Sequence, residues 1–130
     1  MTLRGIRGAI RVRRNTRQDI RAATRRLLLA LLRANRIGTD DVASCFFTLT
    51  RDLDADFPAN AARSLSGWAH VPLLCASEIA VPGALDRVLR VLLLAHTPVL
   101  PDRIRHQYLG ETSCLRPDLA RRNTAPRTRK

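Results

Sequence analysis

Lysine is almost missing from this chain. The only one is Lys130, so a formal charge of +12 is carried nearly entirely by arginine. Aromatic residues make up 4% of the sequence, too few to build the stacking platforms on which single-stranded nucleic acids lie. The three cysteines, Cys45, Cys75 and Cys114, form neither a C-x-x-C pair nor an even-numbered framework, which points to a reducing, cytoplasmic setting. The histidines, His70, His96 and His106, are dispersed without metal-ligand spacing, and no metal or cofactor is expected. There is no Gly-rich phosphate loop and no nucleophile elbow. The longest apolar runs, 27–32 and 91–95, fall far short of the roughly 20 residues needed to cross a bilayer, and no cleavable leader is evident, so no membrane partner is expected.

What is there is a chain of 130 residues, the size of one domain, with 45% hydrophobic residues to supply a core. The charge is uneven. Residues 1–36 hold 11 Arg against one Asp, 37–115 hold six Arg against nine acids, and 116–130 hold six bases against one acid. So basic a chain raises nucleic acid as a partner. A composition rich in Ala, Arg, Leu and Pro is also an ordinary result of biased codon usage, and solvated surface is the plainer reading of most of these arginines.

Loose alternation over 3–12 predicts a strand, with Gly5 and Gly8 marking a close backbone approach. Asn15 and Thr16 offer an N-cap, with Asp19 three residues after Thr16, and Ile20, Ala23, Leu27, Leu31 and Ala34 follow at helical spacing. This predicts a long helix over 16–35, stopped near Gly38. A strand over 42–50 leads into an acidic loop at 51–56, and Pro58 opens a short helix over 57–65. Strands are predicted over 71–76, 88–95 and 104–109, with a turn at Pro82-Gly83, and the residues beyond Pro117 read as a basic tail. The order gives an α+β domain with a mixed sheet, one long helix and one short one. A single long helix covers only one face of such a sheet, so the other face is expected to pack against further subunits.

Arg90 stands out because it lies inside Val88-Leu89-Arg90-Val91-Leu92-Leu93-Leu94-Ala95. A guanidinium in so apolar a strand is costly unless an anion pairs with it, whether a ligand or an internal carboxylate, or unless it reaches solvent. Glu78 is one of only two glutamates and follows the apolar run Val71-Pro72-Leu73-Leu74-Cys75; an exposed strand-end carboxylate is its ordinary fate. Cys75 by itself reads as a structural thiol. Arg7 lies between two small residues, Arg63 ends the short helix, Tyr108 is the only tyrosine, and Arg116 precedes Pro117. Arginines set in apolar strands, with few carboxylates, suggest a site for a small, multiply anionic molecule and name no reaction.

Those same residues, in this order, resemble the monofunctional trimeric chorismate mutases of the bacterial AroH class. The likeness runs through Arg4-Gly5-Ile6-Arg7-Gly8-Ala9, Phe57-Pro58-Ala59, Ala62-Arg63, Val71-Pro72-Leu73-Leu74-Cys75, Glu78, Arg87-Val88-Leu89-Arg90-Val91, His106-Gln107-Tyr108-Leu109 and Leu115-Arg116-Pro117-Asp118-Leu119. It implies one domain over 1–119 with a flexible tail over 120–130, and a homotrimer forming a pseudo-barrel with active sites in clefts between subunits. It implies a cofactor-free rearrangement of chorismate to prephenate, serving phenylalanine and tyrosine biosynthesis. Arg90 would favour the charge growing on the ether oxygen and bind a carboxylate. Arg7 and Tyr108 would hold the enolpyruvyl carboxylate, and Glu78 with Cys75 the ring hydroxyl. Arg63 and Arg116 would attract the other carboxylate or close the site. Phe57, Ala59, Leu73, Leu74 and Leu115 would be its apolar walls, with Phe57 and Arg63 supplied by the neighbouring chain. Asn60 and Leu74 stand where the family varies, often carrying Lys or Glu and Thr respectively. A nucleic-acid module using the basic helix and tail, or a non-catalytic trimer that binds an anionic metabolite, are the alternatives. Nucleic acid is the less expected partner despite the charge.

Overall fold

The computed structural model describes residues 1–116, so the tail at 120–130 and Pro117-Asp118-Leu119 lie outside the described residues. Strand β1 (Thr2–Arg11) is followed by helix α1 (Arg17–Asn35), strand β2 (Val42–Leu49), the short helix α2 (Pro58–Arg63), and strands β3 (Leu73–Ser77), β4 (Val88–Thr97) and β5 (Gln107–Tyr108). They make one five-stranded mixed sheet in the order β3-β2-β4-β1-β5. The two central pairings, β1 with β4 and β2 with β4, are antiparallel, whereas the edge strands β3 and β5 join in parallel. Among the described residues no helix is long and apolar enough to cross a membrane.

Alternation sorts the strand residues onto two faces. Ile6, Gly8 and Ile10 of β1, Cys45 and Phe47 of β2, and Leu89, Val91, Leu93 and Ala95 of β4 turn toward α1, which presents Ile20, Ala23, Leu27, Leu28 and Leu31. A bulge between Val42 and Ser44 lets Val42 share this face with Cys45 despite the odd spacing. Trp68 and Ala62, from the α2 region, complete the core. The opposite face has no helix, and there Phe46 and Leu92 are each 37% exposed and Leu74 60%.

Several boundaries differ from the sequence reading. Helix α1 begins as predicted, with Thr16 Oγ1 accepting from the Asp19 amide at 3.1 Å. The reciprocal bond of a capping box is replaced, because the Asp19 carboxylate takes Arg14 Nε at 3.1 Å. Asn15 instead holds the acidic loop, accepting from the amides of Asp54 and Ala55 at 3.0 Å each. The helix ends at Arg36, left-handed at φ 52, whose N–H bonds back to Arg33, while the Ile37 amide reaches Leu32; Gly38 lies past the stop. The strand predicted over 104–109 contracts to Gln107-Tyr108, and Gly110–Leu115 winds into a 3-10 helix that the sequence pattern did not announce.

Gly8 is where backbones meet. A Cβ there would lie 2.8 Å from the Gln107 carbonyl oxygen and 3.0 Å from a methyl of Leu27. The first neighbour is main chain and cannot rotate away. Gly8→Ala is therefore expected to destabilise the fold by about 1–3 kcal/mol, as overpacking does. A denaturant titration checks this, and an unchanged midpoint would contradict the tight packing of β5 on β1.

Candidate functional site

The helix-free face of the sheet gathers the polar residues. In register across it, Thr48 of β2 lies opposite Arg90 of β4, Arg90 opposite Ala9 of β1, and Ala9 beside Tyr108 of β5. Arg7, two residues before Ala9, points to the same side, and its Nε and Nη2 donate to Tyr108 Oη at 3.3 and 3.1 Å. The Arg7 amide donates to His106 Nδ1 at 2.9 Å, which ties the segment before β5 to β1.

Arg90 takes the ion-pair fate. Its Nε lies 3.2 Å from Glu78 Oε1, without the alignment of a hydrogen bond, so this buried donor is not satisfied by the carboxylate. The Arg90 side chain is nevertheless 43% exposed, through atoms other than Nε. Glu78 follows the end of β3, where its amide bonds to the Leu49 carbonyl at 2.8 Å and its carboxylate accepts from the Thr48 hydroxyl. Thr48 was not singled out in the sequence. The signal was present, since alternation along β2 places it on the face that carries Phe46 rather than Phe47.

Tyr108, Ala9 and Val88 form a small apolar cluster with Leu85 and Leu115 packed on it, which places Leu115 beside the Arg7–Tyr108 pair. The 3-10 helix bearing Leu115 is latched to the sheet by Arg11, whose guanidinium pairs with both Glu111 and Asp86. Thr112 reinforces the latch by donating to the Ala9 carbonyl at 3.0 Å. Arg116 follows directly, half-buried at the end of this turn. The Arg11 guanidinium holds the Asp86 carboxyl below the ordinary aspartate range.

The remaining candidates lie elsewhere. Leu74 is on the helix-free face, but the side chains of Leu73 and Cys75 turn the other way and pack against the core. The Cys75 thiol is thus directed away from Glu78 and toward the side holding Cys45, whose own thiol is pushed up by burial. Phe57, Ala59 and Arg63 belong to α2, which packs on α1 and the edge strand β3. Ala59 is buried within the chain, whereas Phe57 is 66% exposed and Arg63 faces solvent. Edge strands β3 and β5 are four strand spacings of about 4.8 Å apart, roughly 19 Å. Phe57 and Arg63 thus belong to a helix that contacts the β3 edge, and the Arg7–Tyr108 pair to the β5 edge.

Asp56, just before α2, is the most enclosed carboxylate of this region, its side chain only 6% exposed. Burial works against its charge, but hydrogen bonds from Arg21, Asn60 and the Phe57 amide outweigh that and hold its pKa below the usual range. Among the described residues no group of three or more His, Cys, Asp or Glu side chains could hold a metal ion. The arrangement suits electrostatic binding of an anion with several oxygen acceptors: two guanidiniums, a phenol and a carboxylate on one face.

Residues 3–119 match the family model described as chorismate mutase type I. The chain is 52% identical to the chorismate mutase AroH of Thermus thermophilus over 118 residues, covering 90% of this chain and 96% of that protein. It is 43% identical to the chorismate mutase AroH of Bacillus subtilis strain 168 over 120 residues, 92% and 94% of the respective lengths. A chorismate mutase structure from Clostridium thermocellum superimposes with a TM-score of 0.82 at 41% identity, covering 85% of this chain and 98% of that one. With the family model, the two relatives and the fold in agreement over nearly the whole sequence, this chain belongs to the type I chorismate mutases.

Proposed function

We propose that the chain rearranges chorismate to prephenate at a site built on Arg7, Glu78, Arg90 and Tyr108, completed by Phe57 and Arg63 of a neighbouring copy in a homotrimer. The observation that carries this reading is the buried, unsatisfied Nε of Arg90 on the helix-free face, within one strand of Ala9 and the Arg7–Tyr108 pair. The trimer is supported by that face's exposed Phe46, Leu74 and Leu92, and by the placement of α2 and Tyr108 at opposite ends of the sheet. Three free cysteines suit a cytoplasmic protein.

In this rearrangement a carbon–carbon bond forms as an ether carbon–oxygen bond breaks, within one molecule. No proton moves, so the protein's task is to hold a flexible dianion in a compact, reactive shape and to favour negative charge on the departing oxygen. Arg90 performs the second task. Its rigid fork donates to the ether oxygen and to a carboxylate at once, while Glu78 keeps the guanidinium in place and accepts from the ring hydroxyl. Arg7, braced by Tyr108, binds the enolpyruvyl carboxylate. Arg63 and Arg116 draw in the second carboxylate. Leu74, Leu115 and Phe57 shield the reacting atoms from water, whereas Ala59 of α2 is buried within the chain rather than in the wall. With the Cys75 thiol and the Leu73 side chain turned toward the core face, the ring hydroxyl falls to Glu78.

Mixing purified protein with chorismate and following its loss alongside prephenate formation tests the reading directly. Arg90→Ala is expected to cut kcat/KM by about 10²–10³-fold, the scale of losing a donor to a developing oxyanion; near-wild-type turnover would remove Arg90 from its role. The rate is expected to stay nearly flat from roughly pH 6 to 9. The depressed carboxyls of Asp56 and Asp86 lend their stability above about pH 4 and lose it only as pH falls through their lower folded values, so neither titrates in that window. A bell-shaped profile in folded protein would contradict the mechanism. Sedimentation is expected to show trimers, which Leu92→Glu, placing a charge on the helix-free face, dissociates with loss of activity. A monomeric, active wild type would refute the shared site.

A further inference from the structure

We propose that Arg21, Asp56 and Asn60 form a side-chain relay that fixes the guanidinium of Arg63, making Asn60 a positioning residue for substrate binding. The inference rests on the assignment of Arg63 to the substrate's carboxylate made above. Four groups stand in line. Arg21 Nε, on the long helix α1, donates to Asp56 Oδ2 at 2.7 Å. Asp56 Oδ1 accepts from the Phe57 amide at 2.8 Å and from Asn60 Nδ2 at 2.8 Å. Asn60 Oδ1 in turn accepts from Arg63 Nη2 at 2.6 Å.

The charges fix the direction of this line. Turned the other way, the Asn60 amide would face its NH2 to a guanidinium and its oxygen to a carboxylate, repulsive at both ends. With Asp56 almost fully enclosed and ionised, the amide has one stable orientation, and its oxygen is aimed at Arg63. Donating to a carboxylate makes the Asn60 carbonyl a stronger acceptor for Arg63, while the cation on α1 acts by holding the Asp56 carboxylate in place and ionised. Helix α2 is only six residues long and could not by itself immobilise an exposed arginine at its end. The anchor comes from the 19-residue α1, across the packed contact between the two helices. Asn60 and Arg63 are three apart and share one helix face, which is what lets the amide reach the guanidinium.

An arginine ordered before binding gives up less freedom when an anion arrives. Because Arg63 meets a carboxylate remote from the reacting bonds, that gain falls on ground state and transition state alike and is read in KM rather than kcat. Asn60 touches no reacting atom and acts only through Arg63.

The test is a double-mutant cycle on the full-length protein with chorismate as substrate: wild type, Asn60→Ala, Arg63→Ala and the double variant, each with its thermal midpoint. Alanine favours a helix, so Asn60→Ala is expected to fold. Arg63→Ala should raise KM, and Asn60→Ala should raise it by a smaller factor, between about twofold and tenfold, with little change in kcat. The double variant should match Arg63→Ala alone, because the relay has nothing left to hold. An equal effect of Asn60→Ala in both backgrounds overturns the relay, and so does an unchanged KM in Asn60→Ala when Arg63→Ala raises it. An unchanged KM in Arg63→Ala overturns the assignment of Arg63 itself, and the relay with it.

Discussion

Everything in this molecule follows from a sheet with helices on only one side. The α1 face is closed by Leu27, Leu28 and Leu31 against the inward residues of β1, β2 and β4. The other face carries both exposed apolar side chains, Phe46, Leu74 and Leu92, and the polar group of Arg7, Glu78, Arg90 and Tyr108. Alternation supplies both at once, since the same strands carry Phe46 and Thr48, or Leu92 and Arg90, on successive outward positions. Arg90 is tolerated there because Glu78 neutralises it within the chain.

Arginine does several distinct jobs in this chain, which its near-exclusive use over lysine makes possible. Arg7 braces a phenol, Arg11 bridges two carboxylates, Arg21 anchors Asp56, and Arg90 pairs with Glu78 while leaving a buried donor unsatisfied. A planar fork with several donors serves such two-sided contacts where a point charge on a flexible stem does not. The high net charge is therefore partly structural wiring, although Arg17, Arg25, Arg26 and Arg33 on α1 remain exposed.

Much of the fold was legible because it is written locally. The spacing of Ile20, Ala23, Leu27 and Leu31 gave α1, Pro58 gave the start of α2, and the apolar run at 88–95 gave β4. The glycine at position 8 correctly marked a close approach, although only the structure names the Gln107 carbonyl as the neighbour. Features set by long-range contacts were hidden. Whether Leu73 or Leu74 faces the core depends on the register of β3 against β2, which the strand's opening Leu-Leu-Cys-Ala, without alternation, does not reveal. The shortening of β5 and the 3-10 helix after it depend on Arg11 and Thr112 contacts about a hundred residues apart in sequence. The partnership of Arg90 with Glu78 and Thr48 is nonlocal in the same way. The work of Asn60 came from its neighbours Asp56 and Arg63, a pattern visible in sequence only once α2 is known to place them together.

The two rims of the sheet are unequal. At one rim β5 offers a ladder of only two residues, and Arg11, Glu111 and Thr112 fold the following turn over it. A stretch so brief and so covered gives an incoming chain no template for continuing the hydrogen-bond ladder. Lateral, fibre-like growth by strand addition is therefore blocked at that rim.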